Sequence, residues 1–272
     1  MSDSSPTGAP VVTLEMRGHV GIIYLQDHAR LNALSAALIS GVLNALEESR
    51  GKGARAVVIA SASKHFCAGA DISEMLHSGW LTAESSNPDA PTPLELFKAI
   101  ETEPRVVIAA ANGMVLGGGV ELSLACDMLL AAEDATFTLP ELGLGVIPNT
   151  AMARLPALVG ARVAKELILT RRRITAAEAL QLGLVNRVVA PAELLDQAIA
   201  MADSVVTGAP PGAITAVKSG MRPAMDWTQV TGMLKAMDTR EWTEGFDAFL
   251  SKRKPSYERF WDARQTTPAG KP

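Results

Sequence analysis

The sequence predicts an α/β protein, and three observations carry that prediction. Residues 55–61 ("RAVVIAS") and 105–111 ("RVVIAAA") are strand-length runs rich in Val, Ile and Ala. Runs without polar alternation suit strands covered on both faces, as in a largely parallel sheet. Segments with helical spacing alternate with them, which calls for crossover connections. From about residue 150 the strand signal fades and helical patterns take over, so an α/β body followed by a helical extension is expected.

In chain order, "MSDSSPTGAP" (1–10) lacks the basic and apolar regions of a signal peptide and reads as a frayed tail. "VVTLEM" and "VGIIYLQD" read as two strands around a turn at Arg17-Gly18. "SAALISGVLNALEESRG" has apolar residues at 38, 39, 42, 43 and 46, a helical spacing, with Gly51 placed as a stop. The polar, Pro-rich stretch 80–93 reads as a loop. "MLLAA" (128–132) is a third strand of the α/β body and "ATFTL" a fourth. Thr175 and Glu178 have capping-box spacing, and Pro191 introduces the next helix. The expected division is a disordered tail 1–10, an α/β core 11–200 and a helical C-terminal region 201–272.

Composition narrows the function classes. With 48% hydrophobic and 20% charged residues over 272 positions, the chain can bury a sizeable core. A net charge of −4 argues against nucleic acid or an anionic membrane as main partner. No apolar run approaches the roughly 18 residues a membrane span needs. Two cysteines give no disulfide framework, and reduced thiols in a cytoplasmic protein are expected. The four histidines show no metal-binding spacing, so no metal site is expected. His65 and Cys67 read as packing or loop residues, and no G-x-S-x-G elbow, P-loop or dinucleotide fingerprint is present.

The chemistry concentrates in three segments. In "LGGGVEL" the glycines after a strand let main-chain N–H groups approach a ligand, and the first helical turn leaves such donors unpaired. Glu121 stands in that turn, a carboxylate amid apolar residues that demands a pairing, a hydrogen bond or a proton. Tight helix–strand packing is the bland alternative for the glycines. "ASASKHFCAGADISEM" runs from a strand into a glycine turn and can supply another N–H near Ala70. Two amides converging on one carbonyl oxygen is what enolate or acyl chemistry requires. Glu141 lies in the loop "FTLPELGLGVIP", where a glutamate taken alone is usually solvated.

Together, "HFCAGADISEM", "AANGMVLGGGVELSLACDMLLAAEDATF", "LPELGLGVIP" and "ITAAEALQLGLVNRVV" resemble the enoyl-CoA hydratase/isomerase, or crotonase, superfamily over about residues 11–261. The resemblance implies a spiral of ββα units with a helical C-terminal trimerisation region, assembled as a homotrimer or homohexamer. It places the two oxyanion-hole amides on Ala70 and Gly118, and the two catalytic acids of a hydratase on Glu121 and Glu141, twenty residues apart. Glu121 would handle the water added at the β-carbon, and Glu141 would exchange the α-carbon proton. It implies an acyl-CoA thioester as partner, with CoA part of the substrate and no separate cofactor. CoA and acyl contacts would come from Arg30, Leu31, Ala33, Ala68, Ala70, Asp71, Ile72, Gly117, Gly118 and Pro140. Phe249 and Lys252 of "AFLSKRKP" would reach CoA bound to a neighbouring subunit, although that charge run also reads as a solvated helix end.

The pattern breaks after "GVIP". Family hydratases commonly continue "GAGGTQRL", whereas this chain reads "NTAMARL", one residue shorter and without the glycines. That change is expected to alter the pocket and the hydrogen bonds around Glu141, with Asn149 and Thr150 as candidate helix caps. Arg171, where the family often has glycine, receives no role, nor do Arg172 and Arg173. The alternatives are a double-bond isomerase, a thioester hydrolase, a C–C lyase, or a non-catalytic acyl-CoA-binding protein.

Overall fold

The computed structural model describes residues 10–78, 90–221 and 239–257. The expected tail except Pro10, most of the expected loop 80–93, and residues 222–238 and 258–272 of the expected helical region lie outside the described residues.

Six strands form the main sheet: β1 (Val12–Arg17), β2 (Val20–Leu25), β3 (Ala56–Ser61), β4 (Val106–Ala111), β6 (Met128–Ala132) and β9 (Arg187–Val189), side by side in that order. β1 and β2 pair antiparallel, and every later pairing in this sheet is parallel. The unbroken apolar runs are explained by burial on both sides. Ile23, Val57, Ile59, Val107 and Ala109 join one core with α1 (Ala36–Gly51) and α3 (Pro93–Thr102). Their neighbours Ile22, Val58, Ile108 and Leu130 join a second core beneath α8 (Leu194–Gly208). Each fully buried Val or Ile contributes on the order of 1.5–3 kcal/mol.

A second sheet holds β5 (Met114–Leu116), β7 (Thr136–Thr138) and β8 (Ile174–Thr175). The expected fourth strand therefore exists as β7, but outside the main sheet. The fading of strands after residue 150 is corrected by β8 and β9. These are two and three residues long, too short to leave a run, and β9 is held by pairing with β6. The expected boundary at residue 200 falls inside α8, which packs on the main sheet, so the α/β body extends beyond it.

The remaining helices are α2 (Ile72–Ser78), α4 (Gly118–Ala125), α5 (Asn149–Val159), α6 (Ala161–Thr170), α7 (Ala176–Gln181), α9 (Pro211–Met221) and α10 (Thr239–Leu250). Ser35 caps α1 through the Leu38 N–H, and Thr175 caps α7 through the Glu178 N–H. The second half of that expected capping box is replaced by an ion pair of Glu178 with Arg172. No described helix is long and apolar enough to cross a membrane.

Candidate active site

β3 and β4 are parallel neighbours, so the chain leaves both at the same end of the sheet. The segment after β3 and the segment after β4 then run together. Cys67 bridges Val115 and Ala70 bridges Leu34, with the Leu34 N–H bonded to Gly69 O at 2.7 Å. A methyl placed on Gly118 would stand 3.3 Å from the Ala70 nitrogen, and one on Gly69 would stand 3.3 Å from the Gly118 nitrogen. The two expected donor residues are thus in contact. Among the described residues neither N–H forms a hydrogen bond to another protein group.

The three glycines of the cluster serve different ends. Gly117 has φ +48°, and a methyl there would come 2.7 Å from Glu141 Oε1. Its N–H bonds Thr138 O at 2.8 Å, seating it on β7. Gly118 faces Ala70, and a side chain on Gly119 would strike the Cys67 carbonyl. Tight packing and a ligand-facing amide coexist in one motif.

Glu121 lies in the first turn of α4 and points to the start of α5. Its Oε1 accepts the Thr150 N–H at 2.7 Å and the Ala151 N–H at 3.1 Å. Burial raises the carboxyl to about 7, against the opposing pull of those two bonds. Glu141 opens the 3-10 turn Glu141–Leu144, with Pro140 before it packed near Gly117. Its Oε2 is buried without a hydrogen-bond partner. Burial first, and the charge of Glu121 second, raise this carboxyl to about 8. The two titrate as a pair, and near neutrality the arrangement favours one proton shared unequally, on Glu141.

The "NTAMARL" departure acts differently from expectation. It supplies main-chain N–H groups to Glu121, not hydrogen bonds to Glu141. The residue at the cap position is Pro148, and the side-chain oxygens Asn149 Oδ1 and Thr150 Oγ1 are buried without partners. Neither therefore serves as the expected cap. Arg154 pairs with buried Glu101, tying α5 to α3.

Around the donor loops, Arg30 Nη1 lies 3.3 Å from Asp71 Oδ2 and 3.0 Å from Glu74 Oε1. Glu74 in turn accepts the Ala36 N–H at 2.7 Å. Leu31 O accepts the Ala68 N–H and Arg30 O the Ala33 N–H, both at 3.0 Å, so Arg30, Leu31, Ala33, Ala68, Ala70 and Asp71 belong to one patch, while Ile72 packs against Trp242 and Phe246. Sequence reasoning missed Asn32, which zips this patch together. It is fully buried at φ +56°, and its amide nitrogen donates to Ser61 Oγ, His65 O and Phe66 O. Asn tolerates that left-handed backbone better than most residues, a faint signal in "LNA". Phe249 and Lys252 lie exposed at and just beyond the end of α10, and no hydrogen bond or ion pair among the described residues joins them to this patch.

Cys67 is wholly buried and its thiol is raised to about 12, far from a thiolate nucleophile. His65 Nδ1 accepts the Met114 N–H at 3.1 Å, a structural use in line with its expected loop role. No three His, Cys, Asp or Glu side chains converge among the described residues.

Residues 15–260 match the family described as Enoyl-CoA hydratase/isomerase. A short-chain-enoyl-CoA hydratase of Clostridium acetobutylicum is 34% identical over 252 residues, 89% of this chain and 95% of that protein. Among solved structures, a carnitinyl-CoA hydratase from Mycobacterium avium superposes with a TM-score of 0.78 at 31% identity, covering 93% of this chain and all of that one (100%). A methylmalonyl-CoA decarboxylase in complex with 2-nitronate-propionyl-CoA superposes with a TM-score of 0.77 at 30% identity, covering 90% and 97%.

Proposed function

The chain belongs to the enoyl-CoA hydratase/isomerase family, with the crotonase fold, and from that premise we propose that it adds water across a 2-enoyl-CoA to give a 3-hydroxyacyl-CoA. The observation that carries this reading is the unlike pair of acids beside two unengaged main-chain donors. The Ala70 and Gly118 N–H groups take the thioester oxygen, and each such donor is worth about 3–4 kcal/mol to the charged state. Glu121, the more readily ionised acid, removes a proton from water as its oxygen bonds the β-carbon. The π electrons shift towards the thioester oxygen, and Glu141 delivers its proton to the α-carbon. One proton then passes from Glu121 to Glu141 to reset the pair. CoA arrives as part of the substrate, and no further cofactor is invoked. The exposure of Phe249 and Lys252 supports their reaching CoA on a neighbouring subunit of a homotrimer or hexamer.

Decarboxylation, suggested by the likeness to methylmalonyl-CoA decarboxylase, fits less well, because two acids at the reacting carbons oppose a substrate carboxylate. Hydration of crotonyl-CoA, followed by loss of absorbance at the conjugated double bond, tests the proposal. Glu121→Gln and Glu141→Gln should each lower turnover about 10²- to 10⁴-fold. Wild-type turnover in both variants would end it. Double-bond shift activity that survives Glu121→Gln but not Glu141→Gln would select isomerisation instead.

A further inference from the structure

The turn that carries Glu141 rests on the C-terminal region of the chain. Trp242 and Phe246 of α10, rings 5.6 Å apart, pack with Leu144 and Val146. A methyl on Gly145 would meet Glu241 O at 2.7 Å, and one on Gly245 would meet Tyr257 Oη at 2.6 Å and also strike Leu144 O. On the other side, a methyl on Gly143 would lie 2.7 Å from Nη1 of Arg171, whose backbone is left-handed at φ +55°. Tyr257 Oη donates to Gly143 O at 2.9 Å. Among the described residues the turn's other backbone bonds, from Gly143, Gly145 and Val146 N–H to Pro140, Leu142 and Glu141 O, stay within it.

Tyr257 is itself held. Glu244, almost buried on α10, accepts Arg253 Nη1 at 2.6 Å and Nη2 at 3.1 Å, and the Ser256 N–H at 2.7 Å. These bonds fold the segment after α10 back so that the phenol meets the turn.

We propose that Tyr257 is a positioning residue for Glu141, fixing through the Gly143 carbonyl where the acid's carboxyl stands. The need is specific to this acid. Glu121 is aimed by two N–H groups of α5, whereas Glu141 Oε2 has no partner, so its placement depends on the backbone beneath it. The inference rests on the role proposed above for Glu141, but it has a readout that does not.

The test compares wild type and Tyr257→Phe labelled with ¹³C at the glutamate carboxyls, the Glu141 signal being identified by its loss in Glu141→Gln. Freeing the turn admits water, so the Glu141 titration midpoint should fall by about one pH unit or more. For crotonyl-CoA, kcat should fall about tenfold or more with KM changed less than about twofold, because a displaced acid loses transition-state contact rather than binding. Glu244→Gln, which keeps the phenol but loosens its anchor, should move both quantities the same way by less. An unmoved Glu141 midpoint in folded Tyr257→Phe overturns the proposal, and so does a fall in kcat that only tracks a lower melting temperature. If wild type hydrates no enoyl-CoA, the reaction assignment fails, while the titration still decides the role of Tyr257.

Discussion

Glu121 stands on a regular helix and faces the N-terminal amides of another, whereas Glu141 stands on a single 3-10 turn and faces no donor at Oε2. Both lie deep enough for burial to raise their pKa, and the repulsion between them is mutual, so it adds to whichever acid ionises second, here Glu141. The contrast teaches that a base and an acid can be made from the same side chain by supplying hydrogen-bond donors to one and withholding them from the other. It also separates their dependence on the chain. Glu121 is served by main-chain N–H groups that any residue except proline supplies, and Glu141 by a backbone position that specific residues must hold.

The comparison breaks most sharply at Gly117. A methyl there sits 2.7 Å from Glu141 Oε1 on a backbone at φ +48°, so Gly117→Ala must displace the acid or strain the turn. Turnover of crotonyl-CoA should drop about a hundredfold, with a loss of about 1–2 kcal/mol in urea unfolding. A variant with normal turnover would mean that Glu141 does not need this placement.

A smaller effect separates the acids by stability. Each carboxyl holds its proton in the folded state up to about 7 or 8, whereas unfolded it ionises near its ordinary value of 4.5. The folded chain therefore binds more protons between those values, and stability falls as pH rises through that window. Glu141→Gln removes that acid's share of the loss, so its stability relative to wild type should grow from pH 5 to pH 9, reaching on the order of 2–3 kcal/mol. Glu121→Gln should gain less, since its carboxylate keeps two N–H bonds. Urea titrations at pH 5, 7 and 9 measure both, and equal gains would erase the proposed asymmetry.

The smallest effect is expected at Thr150. Its N–H serves Glu121 while its hydroxyl is buried and unpartnered, so Thr150→Val should leave turnover within about twofold and stability within about 1 kcal/mol. A large loss of turnover would assign the hydroxyl a task that no bond in the structure explains.

The central strands were legible because burial on both faces leaves an unbroken apolar run, as in residues 56–61 and 106–111. Glu121, Glu141, Ala70 and Gly118 were legible through motif resemblance, and the structure brings all four to one place. β9 was not legible, since three residues carry no period and their pairing comes from β6. The task of "NTAMARL" was misread because its useful atoms are main-chain nitrogens, which side-chain identity does not report. Asn32 and Tyr257 act across 34 and 114 positions of sequence, a separation that no local pattern bridges.

The parallel pairing of β3 with β4 has one more consequence. Neighbouring strands keep a separation of about 4.8 Å whatever their side chains. The segments after β3 and β4 carry that pairing past the sheet, with Cys67 bridging Val115 and the Leu116 N–H bonded to Cys67 O at 3.0 Å, and this holds the two proposed thioester donors together while α5 and α10 approach from elsewhere in the chain. Such a division lets the acyl preference drift by surface and helix substitutions without recalibrating the grip, which is how one scaffold can host several thioester chemistries.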